Sequence, residues 1–262
     1  MSKDISRILE GWDYQVGEVA VRIIRGDDGR HKIQLRIDMG LLQMELDGQP
    51  DGTRPEGFPS WLDFYLERQR RHDVDRPDSG PFELSEEDCF RLWREGIQYY
   101  HRYLGLWHLK MYDRCARDTE RNLRLFAFVR AYAQDERGKW QFDQWRPYVL
   151  MMQARAVATP MIESGRLDEA LGKIDAGIEA IREFLDEYDR IEQAERCAEL
   201  VNLEQWREQV LLEAHKAGQA EPYSSMEVLR RRLQDAVAQE RFEDAAALRD
   251  EIRRLSEQQG KT

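Results

Sequence analysis

The chain has 262 residues, of which 41% are hydrophobic and 10% aromatic, and its formal net charge is −11. That composition supplies core material for one or two domains and excludes a disordered chain. The acidic balance argues against tight nucleic-acid binding, because phosphate contacts need clustered Lys and Arg. Cys89, Cys115 and Cys197 lie far apart with no C-x-x-C pair, which excludes a disulfide framework or zinc knuckle and points to ordinary reduced thiols. The opening Met1-Ser2-Lys3-Asp4-Ile5 lacks a signal peptide's apolar core, and no run approaches the ~18 uncharged apolar residues of a membrane span. A soluble, cytoplasmic protein is expected.

From Val19 the pattern alternates, then reverses at Gly26-Asp27-Asp28-Gly29, whose residues tolerate the positive φ angles of a hairpin turn. Ile33, Leu35, Ile37 and Met39 then interleave with polar residues as a half-buried strand. Beyond Gly40 the apolar set moves to Leu42, Met44 and Leu46, a phase slip that predicts a bulge or sharp bend. Asp47 to Gly57 is turn chemistry throughout and reads as a solvated loop, with a binding rim as its functional alternative. So small a sheet needs support, and the helix opening at Pro59-Ser60 with Trp61, Leu62, Phe64, Tyr65 and Leu66 is expected to supply it.

Arg76 to Pro81 marks a linker, and Ser85 with Asp88 three residues on caps a long helical region. Its first helix carries Leu92, Trp93, Ile97, Tyr100, Leu104 and Trp107 and bends or ends near Gly105. The sevenfold spacing of Trp93, Tyr100 and Trp107 predicts a core stripe, in preference to a surface on which bases stack. A second helix runs from about Leu109 through Tyr132, with a turn at Asp135 to Lys139. Trp145 to Ser164 and Gly165 to Leu185 read as a further pair, whose Gly-x-Leu-Asp-Glu-Ala-Leu run is similar to half of a tetratricopeptide repeat (TPR), without a second copy. Arg190 to Lys216 continues helical, with Ile191, Ala194, Ala198, Val201, Trp206, Val210 and Leu211 on one side, and Ala217 to Pro222 is a second linker.

The C-terminal end carries the clearest pattern. Apolar residues fall at Met226, Leu229, Leu233, Ala236 and Val237, break at Gln239-Glu240-Arg241, and restart at Phe242, Ala245, Ala246, Leu248, Ile252 and Leu255. Two amphipathic helices with so short a connection fold back antiparallel. Ser224 and Glu227 make a capping box at its start, Phe242 can plug the open end beside the turn, and Arg249 falls on the packed side. A hairpin of about 35 residues is too small to bury all its apolar surface, which leaves a face for a partner.

The run Arg241-Phe242-Glu243-Asp244-Ala245-Ala246 followed by Leu248-Arg249-Asp250-Glu251-Ile252 resembles the UVR domain, the UvrB/UvrC motif. The resemblance implies a hairpin that pairs with a second copy of itself or with a UVR domain on another protein. Such domains link bacterial nucleotide excision repair proteins and also occur in Clp-type protein quality control. Leu229, Leu233, Val237, Phe242, Ala245, Ala246, Arg249, Ile252 and Leu255 are the expected partner-binding residues.

No chemistry is legible beside it. Gly260-Lys261-Thr262 ends like a phosphate-binding loop but lacks its first glycine and a following helix. His101 and His108 are seven apart, not at zinc-pair spacing, and no Cys or Ser has a nucleophile's context, so neither catalytic residue, metal nor cofactor is expected. Arg230-Arg231-Arg232 reads as a salt-bridged helix face. The expected architecture is α+β, mainly α: a small sheet with a helix over 1–76, a TPR-like α-helical body over 81–217, and the hairpin over 224–258. A non-catalytic adaptor is the leading function. The alternative is an enzyme or ligand-binding protein with a site between the sheet and the aromatic helices.

Overall fold

In the computed structural model the described residues are 4–75, 80–216, 229, 230, 233, 236, 237 and 241–259, with backbone alone for 215–216 and 255–259. Residues 76–79 of the linker expected at 76–81, the linker at 217–222 and the Ser224–Glu227 cap lie outside them. The protein is mainly α-helical with one small antiparallel sheet. It divides into two compact units, Met1–Val157 and Ala158–Thr262. Among the described residues no helix is long and apolar enough to cross a membrane.

The first unit begins with a short helix α1 (Ser6–Leu9) and strands β1 (Val21–Arg25), β2 (His31–Ile37) and β3 (Gly40–Glu45) in the order β1-β2-β3. The β1–β2 turn uses Gly29 at φ 77°, closed by Gly26 N–H donating to the Arg30 carbonyl at 2.8 Å. At Gly40, where a phase slip was read, β2 reverses directly into β3, with Ile37 opposite Gly40. The slip is therefore a two-residue hairpin loop, which a strand with a bulge imitates in sequence. Ile33 and Leu35 point into the core, while Gln34 bridges Arg22 and Gln43 on the other face. There Arg22 and Arg36 donate to the carbonyls of Ile8 and Trp12, fastening the N-terminal segment over the sheet.

Helices α2 (Trp61–Asp75), α3 (Glu86–His108), α4 (Tyr112–Tyr132), α5 (Glu136–Asp143) and α6 (Arg146–Glu163) follow, and the division between units falls within α6. The Ser85 capping box is present: Ser85 Oγ accepts from Asp88 N and Asp88 Oδ2 accepts from Ser85 N. The sheet rests on α3 rather than on α2. Ile33, Leu35 and Met44 pack with Tyr103, Leu106 and Cys115, whereas Leu62 and Tyr65 join a separate cluster with Phe82, Leu92 and Phe126. Gly105 does not bend α3, which runs on to His108. A Cβ there would sit 3.2 Å from Val21 Cγ2, so the glycine lets strand and helix approach closely. Where a turn was expected at 135–139, Asp135 Oδ1 accepts from Gly138 N and caps α5.

The buried face of α3 is Leu92, Tyr99, Tyr103 and Leu106, and Tyr100 is 37% exposed. Of the expected stripe, Tyr100 is turned out of the core while Trp93 and Trp107 are half-buried at its edge, packed against the two clusters, since residues one position apart differ by about 100° around a helix and share one period. Glu95, 1% exposed, fixes the rotation: its carboxylate accepts from the Trp61 and Leu62 amides at 2.6 and 3.1 Å, capping α2 from a neighbouring helix, and pairs with Arg121 of α4.

In the second unit α7 (Leu167–Glu187) packs on α8 (Ala198–Lys216), and a 3-10 stretch at Ile191–Arg196 interrupts what reads as one helix from Arg190. Leu200, Leu203, Val210, Leu211 and Ala214 are buried apolar residues there, while Ile191 is 43% exposed. The final helix is α9 (Phe242–Gln259).

Candidate functional site

The C-terminal hairpin is built from the turn outward. Leu229, Leu233, Ala236 and Val237 are helical, and the chain reverses where Arg241 N–H donates to the Ala236 carbonyl at 2.8 Å. Ala245 N–H then donates to the Arg241 carbonyl at 3.0 Å, which opens α9. Glu243 and Asp244 sit in its first turn, where helix amides favour negative charge, and Asp244 also holds the Arg241 guanidinium at 2.6 Å. Of the break read at Gln239-Glu240-Arg241, Arg241 is non-helical and the other two residues lie outside the described ones.

Leu229 is 1% exposed, covered by Leu248 and Ile252 of α9 and by Leu212 of α8. Ala236 and Ala245 are buried and Leu233 is half-buried. The expected partner-binding set therefore divides in two. Leu229 and Ala245 lie inside the fold, with Ile252 packed against Leu229. Val237 and Phe242 are 53% and 69% exposed, and Ala246 and Arg249 face solvent with them. The side chain of Leu255 lies outside the described residues.

Two local expectations are corrected. Phe242 does not plug the end of the hairpin, and Arg249 does not lie on the packed side. Because Ala245, Leu248 and Ile252 turn inward, steps of four, three and four from Phe242 put Phe242, Ala246, Arg249 and Arg253 on a neighbouring stripe, about 100° round the helix. Arg249 and Arg253 reach Asp250 on their own helix, at 3.9 and 3.3 Å. An aromatic ring, a small residue and two cations thus form a continuous exposed face. Leu212 was missed because it belongs to another helix, and its only local sign is the doublet Leu211-Leu212.

The Gly48–Gly57 loop, the other surface singled out in the sequence, is tied down. Arg102 of α3, 1% exposed, forms a bidentate pair with Asp118 of α4 at 2.6 and 2.9 Å and donates to the carbonyls of Glu45 and Gly48. Arg114 and Arg117 grip Asp47, and their hydrogen bonds and charge bring its carboxyl down to about 2. Gln98 holds Asp51 at 2.9 Å. These contacts fasten the start of the loop, while 51–54 and 56–57 are exposed as expected of a solvated connection. At the seam between sheet and α3, Ile33 and Leu35 pack against Tyr103 and Leu106, and Val21 approaches Gly105.

An open cavity of about 340 Å³ lies instead among α3, α4 and the start of α6, between Trp93, Tyr100, His101, Phe126, Trp145 and Tyr148. Burial lowers the affinity of His101 for its proton, so the ring is neutral near pH 7. Burial also pushes the Cys89 and Cys115 thiols up to about 11 and 12, which leaves them inert. Among the described residues no group of three His, Cys, Asp or Glu could hold a metal ion.

Among its described residues the hairpin thus buries Leu229, Ala236 and Ala245 and keeps an aromatic and cationic stripe exposed. Residues 224–258 match the family model of the UvrB/uvrC motif, UVR, so a UVR motif is present at the C-terminus. No curated protein and no solved structure matches the chain.

Proposed function

We propose that the protein is a non-catalytic adaptor of the bacterial cytoplasm whose C-terminal hairpin pairs with another UVR hairpin, either a second copy of its own or one carried by a protein of UvrABC-type nucleotide excision repair. The observation behind this reading is the UVR match at 224–258 on a hairpin whose Val237, Phe242, Ala246 and Arg249 remain exposed. A ring that is 69% exposed gains free energy when a partner covers it, at roughly 25 cal/mol per Å² of apolar surface. Two such hairpins laid antiparallel can also oppose the arginines of one copy to acidic residues of the other, which favours register more than affinity.

Affinity purification of the wild-type chain and of Phe242→Asp separates this from a structural role. The exposed position tolerates the charge in the free protein, whereas a paired interface does not. The expected result is loss of the UVR-containing partner with unchanged folding. Retention of every partner by the variant would overturn the proposal. If the captured partner belongs to Clp-type quality control instead of repair, the adaptor reading stands and its pathway changes.

A further inference from the structure

Gly96 is buried in the middle of α3, yet a Cβ placed on it would meet no atom within 4 Å. A helical glycine usually serves close approach by a neighbour, as Gly105 does in this same helix. Gly96 instead opens on empty space, and that space is the aromatic cavity, which it lines. Glycine here forfeits the helix stability that alanine would supply and keeps the cavity clear.

The walls specify what the cavity can hold. They are mostly aromatic, and no side chain lining them carries a charge at neutral pH. Tyr100 meets Tyr103 and Tyr148 edge-on, with ring planes at 85° and 61°, so these rings do not stack on one another. The Asn122 amide is already engaged, donating to the Gly96 carbonyl at 3.0 Å and accepting from Arg121. Recognition therefore rests on stacking and shape. Tyr103 and Phe126 at the base are almost wholly buried, while Ile97, Tyr100 and Trp145 at the mouth are 36%, 37% and 50% exposed. The volume lies in the range of pockets that enclose small organic molecules.

We propose that this cavity is a binding site for a neutral, planar aromatic or heteroaromatic molecule of two or three fused rings, inserted beside Gly96 and stacked against the rim aromatics. A charged ligand is disfavoured because no counter-charge lines the walls. The site stands apart from the hairpin and does not depend on the pairing proposed for it.

The test uses the full chain and the neutral naphthalene dye 6-propionyl-2-dimethylaminonaphthalene, followed by its fluorescence. The wild type should bind it saturably, and the anionic 8-anilinonaphthalene-1-sulfonate at least about tenfold more weakly. Gly96→Leu, whose side chain fills the cavity from the helix, should lose binding by about tenfold or more with its helical circular dichroism retained. Should that variant fail to fold, Trp145→Ala at the half-exposed mouth reads the same contact and should weaken the neutral dye. Phe242→Asp should bind it as the wild type does. Absence of saturable binding, equal binding by the cavity variants, or preference for the anionic dye would overturn the proposal.

Discussion

The interior of the first unit and the C-terminal hairpin handle polar and apolar groups in opposite ways. Between α3 and α4 the charges are buried and satisfied within the chain: Arg102 and Asp118 are each about 1% exposed and grip each other, and Glu95 answers both Arg121 and the first amides of α2. The hairpin turns Leu229, Ala236 and Ala245 inward and leaves Phe242, Arg249 and Arg253 outside, where Asp250 lies beside both arginines. A region that completes its own interactions serves as a scaffold, whereas one that leaves an aromatic ring and cations together on a helix face is suited to docking.

The largest expected effect breaks the self-sufficient side of this comparison. Asp118→Ala strands a guanidinium that is 1% exposed and frees the Glu45–Gly48 strap, so urea denaturation should show a loss of about 3–5 kcal/mol. Glu95→Ala removes the acceptor for two α2 amides together with Arg121's counter-charge, and a loss of about 3 kcal/mol is expected by the same measurement. On the hairpin side, Phe242→Ala should change unfolding by less than about 0.5 kcal/mol while weakening self-association measured by sedimentation, since the ring is exposed in the free chain.

Two smaller effects sharpen the same contrast. Gly96→Ala should raise stability by about 0.5–1 kcal/mol, because the added methyl meets nothing and the helix gains propensity; a loss would show that α3 needs the glycine for packing. Asp47→Asn should cost less than about 1 kcal/mol, since its pairs with Arg114 and Arg117 are half exposed. The Asp47 carboxyl is held below its unfolded value, so its contribution is present above the ordinary carboxylate range and is lost as pH falls through about 2. The difference between wild type and variant should therefore close in strong acid, as read by thermal unfolding across pH.

Strands, helices and the hairpin were legible because each has a local period: Ile33 and Leu35 alternate with polar neighbours, Ser85 and Asp88 stand at cap spacing, and Leu229 to Leu255 repeat every three or four residues. What could not be read is set by partners distant in sequence. Arg102 reaches a carbonyl 54 residues earlier, at Gly48, and no local pattern announces that contact. The same holds for the rotation of α3. Trp93, Tyr100 and Trp107 keep a heptad as regular as the true core line through Leu92, Tyr99 and Leu106, and only Glu95 and Arg102, bonded to other elements, decide between them. In the hairpin the ambiguity concerned Ala245 and Ala246, adjacent alanines of which one is buried and one exposed. Choosing the wrong one inverts the placement of Phe242 and Arg249.

The most direct test of the central claim is the mass in solution, by light scattering, of the full chain, the chain ending at residue 223, and full-length Phe242→Asp. The full chain is expected at about twice 31.1 kDa, with the truncated chain and the Phe242→Asp chain each at the mass of a single copy. A Phe242→Asp chain that dimerises as the wild type does would contradict the assignment of this face as the pairing surface, and a full chain that stays at 31.1 kDa at every concentration would contradict self-pairing and leave the UVR hairpin of another protein as its partner.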